Sequence, residues 1–443
     1  MQSKTDFDLA VAYQPTEALF PHPSNARTHS RHQIRQLAKS IETFGFANPI
    51  LVDHNNTIIA GHGRVIAAKT LGMDRVPTIR LENLSENEIR AYILADNKLA
   101  ERAGWDKEIL AIEFKHLMTL DNDLDITITG FEIPEIDLIL EGAASKKQDS
   151  DDCFEVDETV PPISQPGDLW QLGKHRLFCG NSLELASYKA LALTRRASVV
   201  FIDPPFNVPI DGHATGSGSI HHREFAMASG ELNEAEYMGF LTRALSLVAK
   251  HSTSGSVHFV CIDWRHLNEL LTAGKQVYTK LLNLCVWVKD NAGLGSFYRS
   301  RHELVFVYKN GKDSHRNNVQ LGKFGRNRTN IWEYAGINTL SRQSDEGNLL
   351  ALHPTIKPIA MVADALLDCS ARGEIVLDSF LGSGTTLIAA ERVGRVCYGI
   401  EIDSLYVDTA IRRWQKHTGD HALHGVTGKR FDEIANVEMS HGR

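Results

Sequence analysis

The chain has 443 residues, more than one average domain, which predicts two or three domains. Its 42% hydrophobic and 23% charged residues are ordinary for a globular protein, and a formal net charge of -8 argues against a chain coated with nucleic acid but allows a local basic groove. The N-terminus lacks an apolar signal core and no run reaches the ~18 apolar residues of a membrane helix, so we expect a cytoplasmic protein without membrane contact. The six cysteines show no metal or CxxC spacing, so we expect reduced thiols and no metal site.

The first part of the chain predicts a small α+β domain. Apolar residues at helical spacing predict a helix over 31–45, and a serine cap opens another over 85–101. Between them we expect strands at 49–53, 57–61 and 76–81 and a helix at 64–72.

The stretch GHGR, residues Gly61, His62, Gly63 and Arg64, lies where a predicted strand meets a helix. Glycine allows close backbone approach, the helix N-terminus presents free N–H groups, and arginine attracts anions, so a nucleotide or anion site is one interpretation. A turn of this kind that holds no ligand is the other.

The segment 49–79 resembles the ParB/sulfiredoxin-like domain, and the likeness covers about 12–110. GHGR occupies the position of that family's nucleotide-contacting turn. His62 stands where true sulfiredoxins have cysteine, which argues against peroxiredoxin repair. The resemblance implies an accessory DNA-binding or nucleotide-sensing module.

A charged segment poor in apolar residues (143–152) predicts a linker, which we extend over 143–163. Strands and helices then alternate, which predicts a doubly wound, mostly parallel sheet. The predicted strands are 176–180, 197–203, 255–263, 282–289, 303–310, 374–380 and 396–403. The predicted helices are 234–250, 264–275, 357–371, 384–394 and 404–417.

One of these strands ends on Asp203-Pro204-Pro205-Phe206. The prolines remove two backbone donors and fix φ, so nearby carbonyls are held rigidly and can accept hydrogen bonds. A carboxylate, free carbonyls and an aromatic ring suit a flat substrate that carries an amino group.

A second turn follows the strand that ends at Asp378. Gly382 and Gly384 precede a helix that opens at Thr385, and the next strand reaches Glu401. This arrangement suits a nucleoside ligand, because an acid at the second strand tip can hold ribose hydroxyls. The turn lacks the lysine of a P-loop and the spacing GxGxxG.

Together, DPPF and FLGSGTT resemble the amino-group DNA methyltransferases that use S-adenosylmethionine. The catalytic turn precedes the cofactor turn, and HPTIKP (353–358) lies just before the cofactor strand, as in the permuted beta class. The likeness spans about 165–417. It implies a Rossmann-like methyltransferase domain over 164–436 behind a ParB-like domain with a helical tail over 1–142.

The resemblance also assigns site residues. It implies Asp203, Pro204, Pro205 and Phe206 as the catalytic turn, in the aspartate form typical of adenine-N6 enzymes. Asn181 replaces an acid that lies near the cofactor's adenine in many relatives. The implied cofactor residues are Asn181, Asp203, Lys357, Asp378, Phe380, Gly382, Ser383, Gly384, Thr385, Glu401 and Asp403.

A DNA-recognition insert is predicted over about 290–350, where basic residues alternate with asparagines and aromatics. A solvated basic face is the alternative. A Gly/Ser/His-rich stretch (210–231) predicts either a lid over the site or a mobile surface loop. The predicted DNA contacts are Lys289, Arg299, Arg301, Lys323, Arg326 and Arg328.

We therefore expect an enzyme that methylates adenine N6 in double-stranded DNA. Cytosine-N4 or RNA methylation, and a ParB-like DNA-binding protein with an inactive methyltransferase scaffold, remain alternatives. Dimers are common in the class, so a homodimer is also open. The domain combination resembles phage- or prophage-borne modification methylases, and no nuclease or motor motif suggests a self-contained restriction enzyme.

Overall fold

The computed structural model describes residues 9–120, 125–144, 161–191, 195–208, 227–290, 297–335 and 357–435. The chain divides into two compact units, Met1–Ala143 and Ala144–Arg443. The predicted lid (210–231) lies almost wholly outside the described residues, as do most of the predicted linker and of HPTIKP.

The first unit contains a five-stranded sheet in the order β1-β5-β3-β4-β2. The strand β3 pairs parallel with β5 and antiparallel with β4. The strands are β1 (Val11–Pro15), β2 (Phe20–Pro21), β3 (Ile50–Val52), β4 (Thr57–Ala60) and β5 (Arg75–Arg80). The helices are α1 (Arg31–Phe44), α2 (His62–Thr70), α3 (Glu86–Ala100), α4 (Lys107–Leu120) and α5 (Ile133–Ala144).

Side-chain caps define where the helices of this unit begin. The Ser30 hydroxyl accepts from the Gln33 N–H at the start of α1, and Ser85 forms a capping box with Glu88 at the start of α3. These caps satisfy backbone donors that the first helical turn leaves without partners. The core under the sheet includes Ile50 and Val65, both almost fully buried.

The second unit contains a ten-stranded sheet in the order β12-β10-β11-β9-β8-β13-β14-β7-β6-β15. Its strands are β6 (Leu169–Leu172), β7 (His175–Cys179), β8 (Ala197–Ile202), β9 (Ser252–Ile262), β10 (Lys280–Val288), β11 (His302–Lys309), β12 (Ile331–Glu333), β13 (Ile375–Asp378), β14 (Val396–Glu401) and β15 (Leu423–His424). Its helices are α6 (Leu185–Ala190), α7 (Glu234–Lys250), α8 (Leu267–Val277), α9 (Ile359–Cys369), α10 (Thr385–Arg392) and α11 (Ser404–Thr418).

Alternate residues of the central strands enter two different cores. On β8, Val199 and Phe201 join the cluster that contains α9 to α11, whereas Val200 and Ile202 join the cluster of α7 and α8. Helices therefore cover both faces of the sheet, which requires strands that are apolar along their whole length. The predicted α/β fold class is confirmed.

The sheet is parallel at its centre and largely antiparallel towards both edges. The strands β9, β8, β13, β14 and β7 run parallel, while β11 pairs antiparallel with β9 and with β10. The predicted recognition range 290–350 includes the internal strand β11 and the edge strand β12. Its described non-strand parts are the stretches that flank β11 and β12.

In the described part of the chain, no helix has the length and apolar character that crossing a membrane would require. The five described cysteines are buried with free thiols, as expected from their scattered spacing.

Candidate functional site

Four polar residues lie where parallel strands of the ten-stranded sheet end. Asp203 follows β8, Asp378 ends β13, Glu401 ends β14 and Asn181 follows β7 by two positions. Because neighbouring parallel strands present their carboxyl ends at one edge, these residues share a crevice there. Ligands of open α/β sheets bind in such crevices, and the predicted catalytic and cofactor turns meet in this one.

The turn after β8 is held rigidly from two sides. The Tyr237 hydroxyl of α7 donates to the Pro205 carbonyl at 2.9 Å. Asn207 adopts a positive φ of 54°, and its side-chain oxygen accepts from the N–H groups of Gly230 and Leu232. The backbone of this turn therefore keeps its shape without any ligand.

The Asp203 carboxylate has two oxygens in different environments. Its Oδ2 accepts from Nζ of Lys357 at 2.5 Å. Its Oδ1 is buried and has no hydrogen-bond partner among the described residues. A buried acceptor without a donor is costly, so Oδ1 is a candidate acceptor for a donor other than the described residues, such as a ligand.

Lys357 continues a chain of alternating charges. Its ammonium also lies 3.1 Å from Oε2 of Glu303 on β11, and Oε1 of Glu303 accepts from Lys289 after β10. The Lys357 ammonium is 5.5 Å from the centre of the Phe206 ring and 5.9 Å from that of Trp287. Lys357 thus contacts the predicted catalytic turn, whereas the resemblance implied only a contact with the cofactor.

Burial raises the pKa of Asp203, although the Lys357 charge acts against the rise. Burial also opposes ionisation of Glu303, but the ammonium groups of Lys357 and Lys289 outweigh it and lower the pKa of that carboxyl. For Lys357, burial is outweighed by the two carboxylates, which raise its pKa and keep it charged. Asp203 is therefore the more basic of the two carboxylates.

The predicted cofactor turn combines two left-handed glycines with a helix N-terminus. Gly382 has φ 54°, and a Cβ added there would meet no atom within 4 Å, so the space above it is open. Gly384 has φ 90° and begins α10, where a Cβ would lie 2.8 Å from Cβ of Ala410. Glycine is required at both positions for conformation and at Gly384 also for packing.

Glu401 ties this turn to the next strand. Its two carboxylate oxygens accept from the N–H groups of Gly382 at 2.7 Å and Asp403 at 2.9 Å. Asp378 accepts from the Phe380 N–H at 3.0 Å. Burial raises the pKa of Asp378 to about 7 and that of Glu401 to about 7, so both gain from a cationic or hydroxyl-bearing ligand.

Other predicted cofactor residues have structural partners. The Asn181 side chain accepts from the Leu183 N–H, and Asp403 caps α11 through the Leu405 N–H. Ser383 is buried against Arg413, which donates to its carbonyl at 2.7 Å. Thr385 is buried as the first residue of α10 and Phe380 packs beside Phe240.

The predicted DNA contacts divide into two groups. Arg299, Arg301 and Lys323 are exposed. Arg326 and Arg328 are instead paired with carboxylates of α9, so the prediction is wrong for these two residues.

Arg326 is 5% exposed and pairs with Asp364 and Asp368 at 2.9 Å each. Arg328 pairs with the same two carboxylates. A buried guanidinium needs such partners, so this cluster anchors the segment and is not available to phosphate. Lys289 likewise pairs with Glu303.

The predicted anion turn of the first unit has the same backbone geometry as the cofactor turn. Gly61 has φ 102° and begins α2. Arg64 is half-buried and donates to the Asn48 carbonyl at 3.0 Å, while Nε2 of His62 accepts from the His22 N–H at 3.3 Å. Burial, with help from His29 and His22, lowers the pKa of His62 to about 4. No group of described residues in the chain has the composition of a metal site.

The residues of the crevice fit S-adenosylmethionine. Open space lies above Gly382, two carboxyls with raised pKa values end adjacent strands, and Oδ1 of Asp203 at the same edge lacks a partner among the described residues. Acids match ribose hydroxyls and a cationic amino acid, and glycine admits close approach. Asp378, Gly382 and Glu401 would hold such a cofactor.

Comparisons with known proteins match both units to families. Residues 197–412 match a DNA methylase family, residues 108–166 the ParB-methyltransferase HTH domain, and residues 6–98 the ParB N-terminal domain. The second match spans α4 and α5, which sequence patterns left as an unassigned helical tail.

Three similar proteins illustrate these matches. The chain is 50% identical over 80 residues, 18% of its length, to the ParB-like nuclease domain-containing protein YnaK of Escherichia coli (strain K12), covering 92% of that protein. It is 27% identical over 247 residues, 52% of its length, to the type II methyltransferase M2.LlaDCHI of Lactococcus lactis subsp. cremoris, covering 87% of it. The solved PvuII DNA methyltransferase (cytosine-N4-specific) is 16% identical with a TM-score of 0.42, over 63% of this chain and 94% of that one.

The family matches and the type II methyltransferase relative define a methyltransferase. The chain belongs to the DNA methylases that carry a ParB-like N-terminal domain. It is a DNA methyltransferase, and its cofactor is S-adenosylmethionine, as the resemblance predicted.

Sequence reasoning missed two contributors to the site. Glu303 and Trp287 lie on strands that were predicted as plain sheet, yet they surround Lys357. A glutamate in an otherwise apolar strand was the available signal, because a buried charge is rare without a partner.

Proposed function

We propose that this chain methylates the N6 amino group of an adenine that is flipped out of double-stranded DNA. The observation that carries the proposal is the buried Oδ1 of Asp203, an acceptor without a hydrogen-bond partner among the described residues, at the sheet edge where the predicted cofactor turn also lies. An amino group supplies the missing donor. A carboxylate at this position, in place of the serine usual in cytosine-N4 enzymes, favours adenine.

The chemistry required of the chain is chiefly positioning and charge. Bound S-adenosylmethionine supplies a methyl group on a positively charged sulfur. Asp203 accepts one amino hydrogen and the Pro204 carbonyl the other, which draws the nitrogen lone pair out of the ring system and towards the methyl carbon. Methyl transfer would leave a positive charge on the amino nitrogen, and the ionised Asp203 carboxylate, which holds one of its hydrogens, would accept the proton that the nitrogen then loses. Phe206 stacks on the base.

The neighbouring carbonyl is not available for this role. Pro205 already accepts from Tyr237, so its oxygen is used inside the protein. The Pro205 carbonyl therefore anchors the turn, and the Pro204 carbonyl is the one assigned to the ligand. Exposed Arg299, Arg301 and Lys323 would contact DNA phosphates.

The test is methyl transfer from labelled S-adenosylmethionine to unmethylated duplex DNA, followed by nucleoside analysis. We expect methyladenine, with a loss of about 100-fold or more in Asp203→Asn, because the amide removes the charge that stabilises the developing cation. Asp263→Asn is the matched control, since Asp263 follows the adjacent strand β9 but caps a helical turn through Arg265.

Each other outcome has a distinct meaning. Detection of methylcytosine would support the assigned catalytic turn but show that the target base is cytosine and not adenine. Methyl transfer to RNA in preference to DNA would contradict the proposal that the substrate is double-stranded DNA. Cofactor binding without any transfer would favour a ParB-like DNA-binding protein with an inactive scaffold.

We further propose that the first unit binds a nucleotide or another anion at Gly61–Arg64. The supporting observation is the left-handed Gly61 at the start of α2, with the Arg64 guanidinium in the same turn. Titration of the full chain with nucleoside triphosphates, followed by calorimetry, tests it. Absence of heat with Arg64 intact would leave the turn a purely structural one.

A further inference from the structure

The chain of alternating charges behind the catalytic turn is longer than hydrogen-bond acceptance by Asp203 requires. It runs from Asp203 through Lys357 and Glu303 to Lys289, with two carboxylates and two ammonium groups. The Glu303 side chain is 10% exposed and that of Lys357 4%. Buried ions of this kind cost stability unless every one is paired, so the arrangement calls for a functional reason.

The geometry divides the two oxygens of Asp203 between the protein and the ligand. Lys357 holds Oδ2 at 2.5 Å, which leaves the buried Oδ1 as the oxygen without a hydrogen-bond partner among the described residues. Glu303 fixes Lys357 from the other side, and Lys289 fixes Glu303. Rotation of the Asp203 carboxylate would therefore break a bond to an ammonium that two carboxylates share.

We propose that Glu303 and Lys289 are positioning residues for methyl transfer: acting through Lys357, they set the charge and the orientation of the Asp203 carboxylate so that Oδ1 meets the target amino group. The proposal rests on the proposed function, because it takes Asp203 as the acceptor of that amino group. Neither residue needs to touch the DNA or the cofactor.

The two positioning residues act on Asp203 with opposite sign. The negative charge of Glu303 raises the pKa of Asp203, after the larger effect of burial, and the positive charge of Lys289 lowers it. Methyl transfer needs Asp203 ionised, so activity falls as pH drops through its pKa. Loss of Glu303 charge must move this acid limb to lower pH, and loss of Lys289 charge must move it to higher pH.

Other titratable groups face Asp203 from neighbouring elements. They are the Cys261 thiol on β9, the Tyr237 phenol on α7 and the Asp378 carboxyl at the end of β13. Burial raises the pKa of the thiol and of the phenol, which keeps both neutral across the range of the test. Asp378 titrates near pH 7 and is present in every variant, so the difference between variants isolates the charge chain.

The experiment is the pH profile of kcat/KM for methyl transfer in the full chain, compared among wild type, Glu303→Gln, Lys289→Gln and Lys289→Arg. We expect an acid limb shifted to lower pH in Glu303→Gln, shifted to higher pH in Lys289→Gln, and restored in Lys289→Arg, which keeps the charge. A second readout is the fluorescence of 2-aminopurine at the target position, which reports flipping without turnover and should be unchanged.

The outcomes separate the two proposals. If the acid limbs of active Glu303→Gln and Lys289→Gln coincide with that of wild type, or both shift in the same direction, the positioning role is wrong. The proposed function would then remain intact. A wild-type protein that transfers no methyl group to DNA would overturn the proposed function itself. If Glu303→Gln fails to fold, the variants Lys289→Gln and Lys289→Arg still test the positioning role. The Lys289 side chain is 25% exposed, so its replacement leaves the core filled.

Discussion

Two turns of this chain share a left-handed glycine at the start of a helix and differ in the charged side chains around it. Gly61 and Gly384 both adopt a left-handed conformation in the connection from a strand to a helix and cap that helix, α2 in the first unit and α10 in the second. Arginine and histidines surround the first turn, whereas buried carboxyls flank the second. The exposed N–H groups alone would favour anions at both turns.

The comparison teaches that backbone geometry makes a ligand site possible and that side-chain charge selects the ligand. At the second turn, Glu401 accepts from the Gly382 N–H, so the acid cancels the anion preference and suits hydroxyl and cationic groups. At the first turn no such acid accepts from Gly61 in the described structure. The following predictions test this contrast.

The largest effect is expected from adding a methyl group at the glycines. Gly384→Ala combines an unfavourable φ with a contact to Cβ of Ala410 at 2.8 Å, and should destabilise the protein by about 3 kcal/mol. Gly61→Ala meets the end of the Ile50 side chain at 2.7 Å, which can shift, so about 1.5 kcal/mol is expected. Urea unfolding measures both, and equal costs would contradict the packing argument.

A smaller effect is expected from removing the charge of Glu401. Glu401→Gln keeps the shape but loses the ionised acceptor for ribose hydroxyls, and should weaken S-adenosylmethionine binding about tenfold at pH 8. Because the pKa of Glu401 is about 7, wild-type affinity should rise from pH 6 to pH 8, and the variant should lose much of that slope. Calorimetry measures it. Glu391→Gln is the control: it removes a carboxylate of α10 that pairs with His175 of β7, and it should leave the slope unchanged.

Loss of Arg64 should affect only the first turn. Arg64→Ala should weaken binding of a nucleoside triphosphate about tenfold, because a charge-assisted hydrogen bond is lost, and leave methyl transfer to DNA intact. Arg90→Ala removes an exposed arginine of the same unit that pairs with Glu86 and serves as the control. Equal weakening in both variants would mean that the turn has no special role.

The smallest effect is an opposite response of the two turns to pH. The pKa of His62 is lowered from 6.5 to about 4, so its contribution to stability is present above 6.5 and is lost as pH falls towards 4. The pKa values of Asp378 and Glu401 are raised to about 7, so their contribution is present below about 4 and is lost as pH rises to 7.

Amide exchange measures this contrast in the intact chain. Between pH 5 and pH 7, protection factors should rise with pH in α2 and fall in α10. His62→Gln should flatten the first trend, because glutamine keeps an acceptor for the His22 N–H, and Glu401→Gln should reduce the second. If the protection factors of both helices change with pH in the same direction, the predicted opposite pH response of the two turns is wrong.

Much of the fold follows from local patterns. The predicted helix over 234–250 matches α7, and apolar runs located most central strands of the second unit, because strands covered on both faces must be apolar throughout. The edge strand β12 and the helices α4 and α5 were not predicted. A strand of three residues has too short a pattern to recognise, and helix packing outweighs a weak periodicity.

The sequence by itself determined the order of the chemical groups: an acid and two prolines after one strand, glycines after another, and an acid after a third. Parallel strands then had to present them at one edge. Only the tertiary structure decided which charges are used internally. It paired Arg326 and Arg328 with α9, and it joined Lys357 to Asp203, Glu303 and Lys289. These contacts join residues far apart in the chain, and the low dielectric of the interior, which local sequence does not encode, makes such pairing obligatory.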